Sequence, residues 1–126
     1  MHGVPSDLDL TGFYGADLNQ ICLGPFDLAF NFSTGMHISV EGSWELREAD
    51  GTLVDGSDGR VGDKPGNQSR RNWQVRSLLA DTVASGDVNA PRSFTLVFAS
   101  GRRLTIFDDP DEPYESFSIQ PGNIFV

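Results

Sequence analysis

Few residues in this chain are equipped for catalysis, and their types and spacing decide most of what the sequence says about function. Of the two histidines, His2 stands at the start and His37 falls on the polar side of an alternating segment, where a solvent-facing structural role outweighs a catalytic one. No G-x-S-x-G nucleophile elbow is present, so no Ser/His/Asp triad is assigned. The single cysteine, Cys22, has no partner for a disulfide and no companions for a zinc site; its apolar neighbours predict a buried thiol. The run Asp108, Asp109, Asp111 and Glu112 offers hard oxygen ligands to calcium but lacks the spacing of a calcium loop, which leaves a solvated turn. No catalytic residue, metal or cofactor is expected.

The glycine-rich stretch from Asp55 to Gly66 invites a phosphate-cradling reading. Lys64 is followed by Pro65 rather than Ser or Thr, and no strand leads through a glycine loop into a helix, so nucleotide binding is not supported. Asn31 and Asn67 each begin a glycosylation sequon, which matters only in a secreted chain. The residues left are suited to recognition. Trp44 and Tyr114 are large aromatics beside the acids Glu45 and Glu115. Arg70 and Arg71 adjoin Trp73 within a cluster of bases that includes Arg60, Lys64 and Arg76. Trp44, Tyr114, Glu115, Arg70, Arg71 and Trp73 form the candidate binding surface. Trp44 also falls in register with the core, and the bases have a simpler use in neutralising the protein's own carboxylates.

Charge narrows the partners. The net charge is −9, and it is segregated: residues 1–59 carry ten acids and one base, residues 60–103 three acids and eight bases, and residues 104–126 five acids and no base. Such a chain repels a phosphate backbone, so nucleic acid is not expected as a partner. No apolar run reaches the roughly 18 residues that span a bilayer, and the N-terminus has no basic segment followed by an apolar one, which predicts a cytoplasmic protein without a membrane partner.

These residues must be positioned by a fold that the 126-residue length limits to a single domain, 1–126. Residues 1–16 mix Gly, Pro and Asp with isolated apolar residues and predict an irregular lead-in, tied down by Leu10, Phe13 or Tyr14. From Leu18 the apolar residues alternate with a period of two, as in half-buried strands. A three-residue loop with Gly35 in the left-handed region pairs Phe32 with Met36, Phe30 with Ile38 and Leu28 with Val40, all on one face. The pattern returns 66 residues later, where Gly101 takes the place of Gly35, and Phe94, Leu96, Phe98, Leu104 and Ile106 the places of Leu28, Phe30, Phe32, Ile38 and Val40. A duplication would produce this, and so would the shared grammar of amphipathic hairpins.

Alternation continues from Val40 through Gly42, Trp44 and Leu46, predicting one long strand; Asp50 and Gly51 then turn the chain into a short strand over 52–54. Residues 55–69 read as an exposed flexible loop. Trp73, Val75, Leu78 and Leu79 suggest one short helix over about 72–80. Further strands are expected over 83–88 and 115–119, with Phe117 and Ile119 inward, and at the C-terminus. The fold class is therefore α+β, mostly antiparallel β built on two similar hairpins, about 26–40 and 93–107.

Three stretches carry a resemblance: Ile38 to Leu46, Leu78 to Val83, and Leu104 to Asp109 followed by Tyr114 to Ile119. Over about residues 17–120 the chain resembles a family of small bacterial proteins classed as a domain of unknown function. The resemblance implies no catalytic residues. By size and charge the chain is also similar to small acidic immunity proteins, an analogy rather than a motif match. The expectation is a non-enzymatic interaction or binding module for a basic protein partner. The alternative is a small-ligand binder or enzyme with a pocket between the two hairpins. Uncovered sheet edges further predict a symmetric homodimer.

Overall fold

The structure, a computed structural model, describes residues 3–24, 27–56, 74–108, 117–120 and 124–125. Among these residues the chain forms strands β1 (Leu18–Leu23), β2 (Leu28–Phe32), β3 (His37–Val40), β4 (Trp44–Arg47), β5 (Leu53–Gly56), β6 (Val83–Asn89), β7 (Ser93–Phe98), β8 (Arg103–Phe107), β9 (Phe117–Gln120) and β10 (Ile124–Phe125). They assemble into two sheets of five strands, in the orders β1-β2-β3-β9-β10 and β5-β4-β8-β7-β6, with every pairing antiparallel.

Period-two patterning sets the register. Strand β2 buries Leu28, Phe30 and Phe32 and turns Ala29 and Asn31 outward; β8 buries Leu104 and Ile106 and turns Arg103 and Thr105 outward. Leu28 lies opposite Val40 and Phe30 opposite Ile38, while Phe94 lies opposite Ile106 and Leu96 opposite Leu104, as the expected loops require. Gly35 and Gly101 close these loops at φ of 89° and 93°, backbone that costs a side chain about 1–2 kcal/mol. Both inner faces feed one hydrophobic core, to which each sheet contributes. Across it the rings of Phe94 and Phe117, from different sheets, meet edge to face with centroids 5.0 Å apart. Each fully buried phenylalanine contributes about 1.5–3 kcal/mol.

The two halves of the chain are alike well beyond their hairpins. In each, a 3-10 turn (Thr11–Phe13 or Gln74–Leu78) precedes three meandering strands, and the next strand crosses into the opposite sheet. Thus β4 joins β8, and β9 joins β3. The first strand of each half carries a bulge at the same place, Leu18/Gln20 and Val83/Ser85. Gly15 and Ala80, each with positive φ, follow the two turns. Where the halves meet, the hydrogen bonds are reciprocal: Leu18 N–H donates to the Asp81 carbonyl at 3.0 Å and Val83 N–H to the Ala16 carbonyl at 2.9 Å. Likewise Gly15 N–H donates to the Val83 carbonyl at 2.8 Å and Ala80 N–H to the Leu18 carbonyl at 2.9 Å. The chain has an internal pseudo-twofold axis, with one pair of strands exchanged in each direction, β4 and β5 one way and β9 and β10 the other.

Several expectations need correction. The fold is mainly β rather than α+β: no helix among the described residues reaches seven residues, and the helix expected over 72–80 is the 3-10 turn Gln74–Leu78. Val75 and Leu78 are buried three residues apart, the 3-10 repeat, while Leu79 is exposed and Ala80 at φ 72° ends the turn. The single long strand is two, since the chain bends over 41–43 and changes sheet. Alternation survives the break because both sheets face the same core. Asp55 and Gly56, expected to open a flexible loop, are buried in β5; the rest of that loop, 57–69, lies outside the described residues. Tyr14 is exposed, and Leu10 and Phe13 anchor the lead-in. Cys22 is exposed rather than buried. The bulge after Leu18 shifts the alternation of β1, so that Ile21 faces the core and Cys22 faces out.

Candidate functional site

Of the six residues of the expected binding surface, the structure describes one. Trp44 is 3% exposed and sits in the core opposite Ile106, so it does not line a surface. Arg70, Arg71, Trp73, Tyr114 and Glu115 lie outside the described residues, as do Asp109, Asp111 and Glu112 of the acidic run. Between the two hairpins, the described inner faces pack together. Phe30 and Ile38 from one hairpin and Leu96 and Leu104 from the other are all fully buried in the shared core.

The informative surfaces are instead the outer faces of the two sheets, which the pseudo-twofold axis allows to be compared position by position. On the first sheet, Gln20, Asn31, His37 and Gln120 stand opposite one another across β1, β2, β3 and β9. A second row of Cys22, Ala29, Ser39 and Ser118 runs beside it. All eight side chains are uncharged, taking His37 as neutral, in a protein of net charge −9. On the second sheet the equivalent rows are Ser85, Val97, Arg103 and Arg47, and Asp87, Thr95, Thr105 and Glu45. Half of those carry charge. One scaffold therefore presents two chemically different faces.

Hydrogen bonds wire the uncharged row together. The Asn31 Nδ2 donates to Gln20 Oε1 at 3.1 Å, which leaves Asn31 Oδ1 as the acceptor for His37 Nδ1, 2.5 Å away. With the Asn31 amide so oriented, His37 Nδ1 is the donor of this hydrogen bond. Three adjacent strands thus hold donors and acceptors in fixed directions, about 4.8 Å apart from strand to strand. Acids frame the face. Asp27 precedes β2 and Glu41 follows β3 at one end, where Leu28 pairs with Val40; Asp17 precedes β1 at the other. Asp17 accepts a hydrogen bond from Thr82 Oγ1 at 2.5 Å.

The charged face is partly self-neutralised. Arg47 Nε donates to Glu45 Oε2 at 2.7 Å, and this hydrogen bond and the carboxylate's charge hold the guanidinium above its ordinary pKa. Arg102 Nε donates to Glu48 Oε1 at 3.2 Å. Thr95 and Thr105 hydrogen-bond each other at 2.8 Å across β7 and β8. Elsewhere two turn carboxylates lie below their ordinary pKa: Asp9, through the Thr11 hydroxyl and then its N–H, and Asp50, through the Thr52 N–H. These bonds shape turns, as Asx motifs do. Among the described residues no group of three or more His, Cys, Asp or Glu side chains is placed to hold a metal ion, and no helix is long and apolar enough to cross a membrane.

Sequence reasoning placed His37 on a polar face and treated Asn31 only as a sequon; it did not see that Gln20 and Gln120 complete their row. The available signal was the lack of charge at every outward position of β1, β2 and β3. Compared with family models, with curated proteins and with solved structures, the chain has no match.

Proposed function

We propose that the protein is a non-enzymatic interaction module that binds a basic protein partner, as immunity and regulatory proteins of similar size and acidity do. The distribution of charge carries this reading. Asp7, Asp27, Glu41 and Asp87 are exposed and have no ion-pair partner among the described residues, while Glu45 and Glu48 are paired with arginines. Exposed carboxylates with no ion-pair partner among the described residues, in a chain of net charge −9, create a negative field that steers a cationic surface towards the molecule and repels phosphate backbones.

The test is retention on the immobilised protein from a lysate of its source, with elution by a salt gradient and identification by mass spectrometry. The expected result is a basic protein held at low ionic strength and released as salt screens the attraction. Retention of only a neutral or acidic protein, or of a small molecule alone, refutes the reading.

A further inference from the structure

We infer that the partner docks on the outer face of the first sheet, with the row Gln20, Asn31, His37 and Gln120 and the neighbouring Ser39 and Ser118 at the centre of the contact. This rests on the reading just proposed and locates it. Interfaces are depleted of charge at the centre, where desolvating an ion is costly, and keep charge at the rim, where it guides approach. The first sheet has that anatomy, with an uncharged, hydrogen-bonded strip between Asp27 and Glu41 at one end and Asp17 at the other.

The second sheet is the internal reference. It shows what the same scaffold carries on its other outer face: Asp87, Glu45, Arg103 and Arg47 at positions matching uncharged residues of the first sheet. It also shows that the scaffold folds with Val97 where Asn31 stands and with Arg103 where His37 stands. The Gln20–Asn31–His37 hydrogen bonds are therefore not a requirement of the architecture. What they do is pre-orient amide and imidazole groups for a partner's hydrogen bonds, lowering the ordering cost at contact. The acidic rim selects the occupant. A surface with a polar centre and lysines or arginines around it is complementary, and a second copy, with the same acidic rim, is repelled.

The same comparison supplies the experiment. A photoreactive residue in place of Ser39, and in a separate protein in place of Thr95, reports in source cells what each face touches. The crosslinked protein is then purified and titrated against wild type, N31V/H37R, which grafts second-sheet residues onto the first, and the reverse graft V97N/R103H. Circular dichroism and thermal unfolding establish that both variants are folded. The expected result is a basic protein crosslinked from position 39, bound at least about tenfold more weakly by N31V/H37R and within about twofold of wild type by V97N/R103H. A basic partner whose affinity falls only with V97N/R103H, or that crosslinks only from position 95, overturns the placement and leaves the proposed function standing. Crosslinks solely to neutral or acidic proteins, or none from either position, overturn both.

Discussion

Replacing Asp55 with alanine tests how the fold anchors its second half. The Asp55 carboxylate is 1% exposed and accepts two backbone N–H groups, that of Gly56 at 2.8 Å and that of Val75 at 2.9 Å. It thereby joins β5 to the 3-10 turn Gln74–Leu78, the described elements on either side of residues 57–73. Removing the acceptor orphans both donors, each at about 1–3 kcal/mol where water cannot replace it. Partial hydration of the two amides offsets some of this, leaving a net loss of about 2–4 kcal/mol. For a domain of this size that lowers the melting temperature by about 10 °C. Asp55→Asn keeps one acceptor oxygen but points an amide NH₂ at an N–H, and costs about half as much. The assays are thermal and urea unfolding followed by circular dichroism, with hydrogen exchange read at Val75. The Val75 amide should lose protection in Asp55→Ala under conditions where the Leu46 amide stays protected. A melting temperature within about 2 °C of wild type, or unchanged exchange at Val75, refutes the anchoring role.

Three further outcomes are expected. Gly101→Ala destabilises the protein more than Gly35→Ala in urea unfolding: both force a side chain onto a φ near 90°, but the new Cβ lies 2.8 Å from the Ala49 Cβ in the first case and meets nothing within 4 Å in the second. Equal losses would show that the Ala49 loop yields freely. Asp50→Ala flattens the acid limb of stability, because the Thr52 N–H holds the folded carboxylate below its ordinary pKa; the contribution is complete above the ordinary value and fades as pH falls through the lowered one. Melting curves of variant and wild type should converge towards acid pH, and a constant gap would contradict the linkage. Cys22 should react with a thiol reagent in the native protein as fast as in urea; protection of the native thiol would mean that the β1 bulge is misplaced.

Local pairings were legible in the sequence, and their arrangement was not. Leu28, Phe30, Ile38 and Val40, and their counterparts Phe94, Leu96, Leu104 and Ile106, announce their register because a one-residue slip would expose an entire core face. The partition into two sheets left no trace, since Gly42 continues the alternation on paper while the chain bends and crosses. Cys22 and Asp55 were misplaced for different reasons. A bulge adds one residue to the period without changing composition, and a carboxylate in a run of glycines and serines reads as solvated until two amide donors are brought to it from residues 56 and 75. His37 was visible as outward-facing. That it belongs to a four-strand row depended on β9 pairing with β3, a contact between residues more than 75 positions apart.

The pseudo-twofold axis separates the demands of folding from other demands within one molecule. At paired inner positions the halves agree in character: Phe13 with Leu78, Leu18 with Val83, Phe30 with Leu96, Ile38 with Leu104 and Trp44 with Phe117, every one buried. At paired outer positions they diverge, with His37 against Arg103 and Gln120 against Arg47. Folding explains the first group, because each pair fills the same place in a common core and either member is apolar. It does not explain the second, because the same pleated backbone accepts both an amide and an arginine. Nor does solubility, which in an acidic protein is served by charge and would favour the character of the second sheet on both faces. The uncharged row is therefore the departure that calls for a cause outside the fold, and a surface that must be desolvated against a partner supplies one.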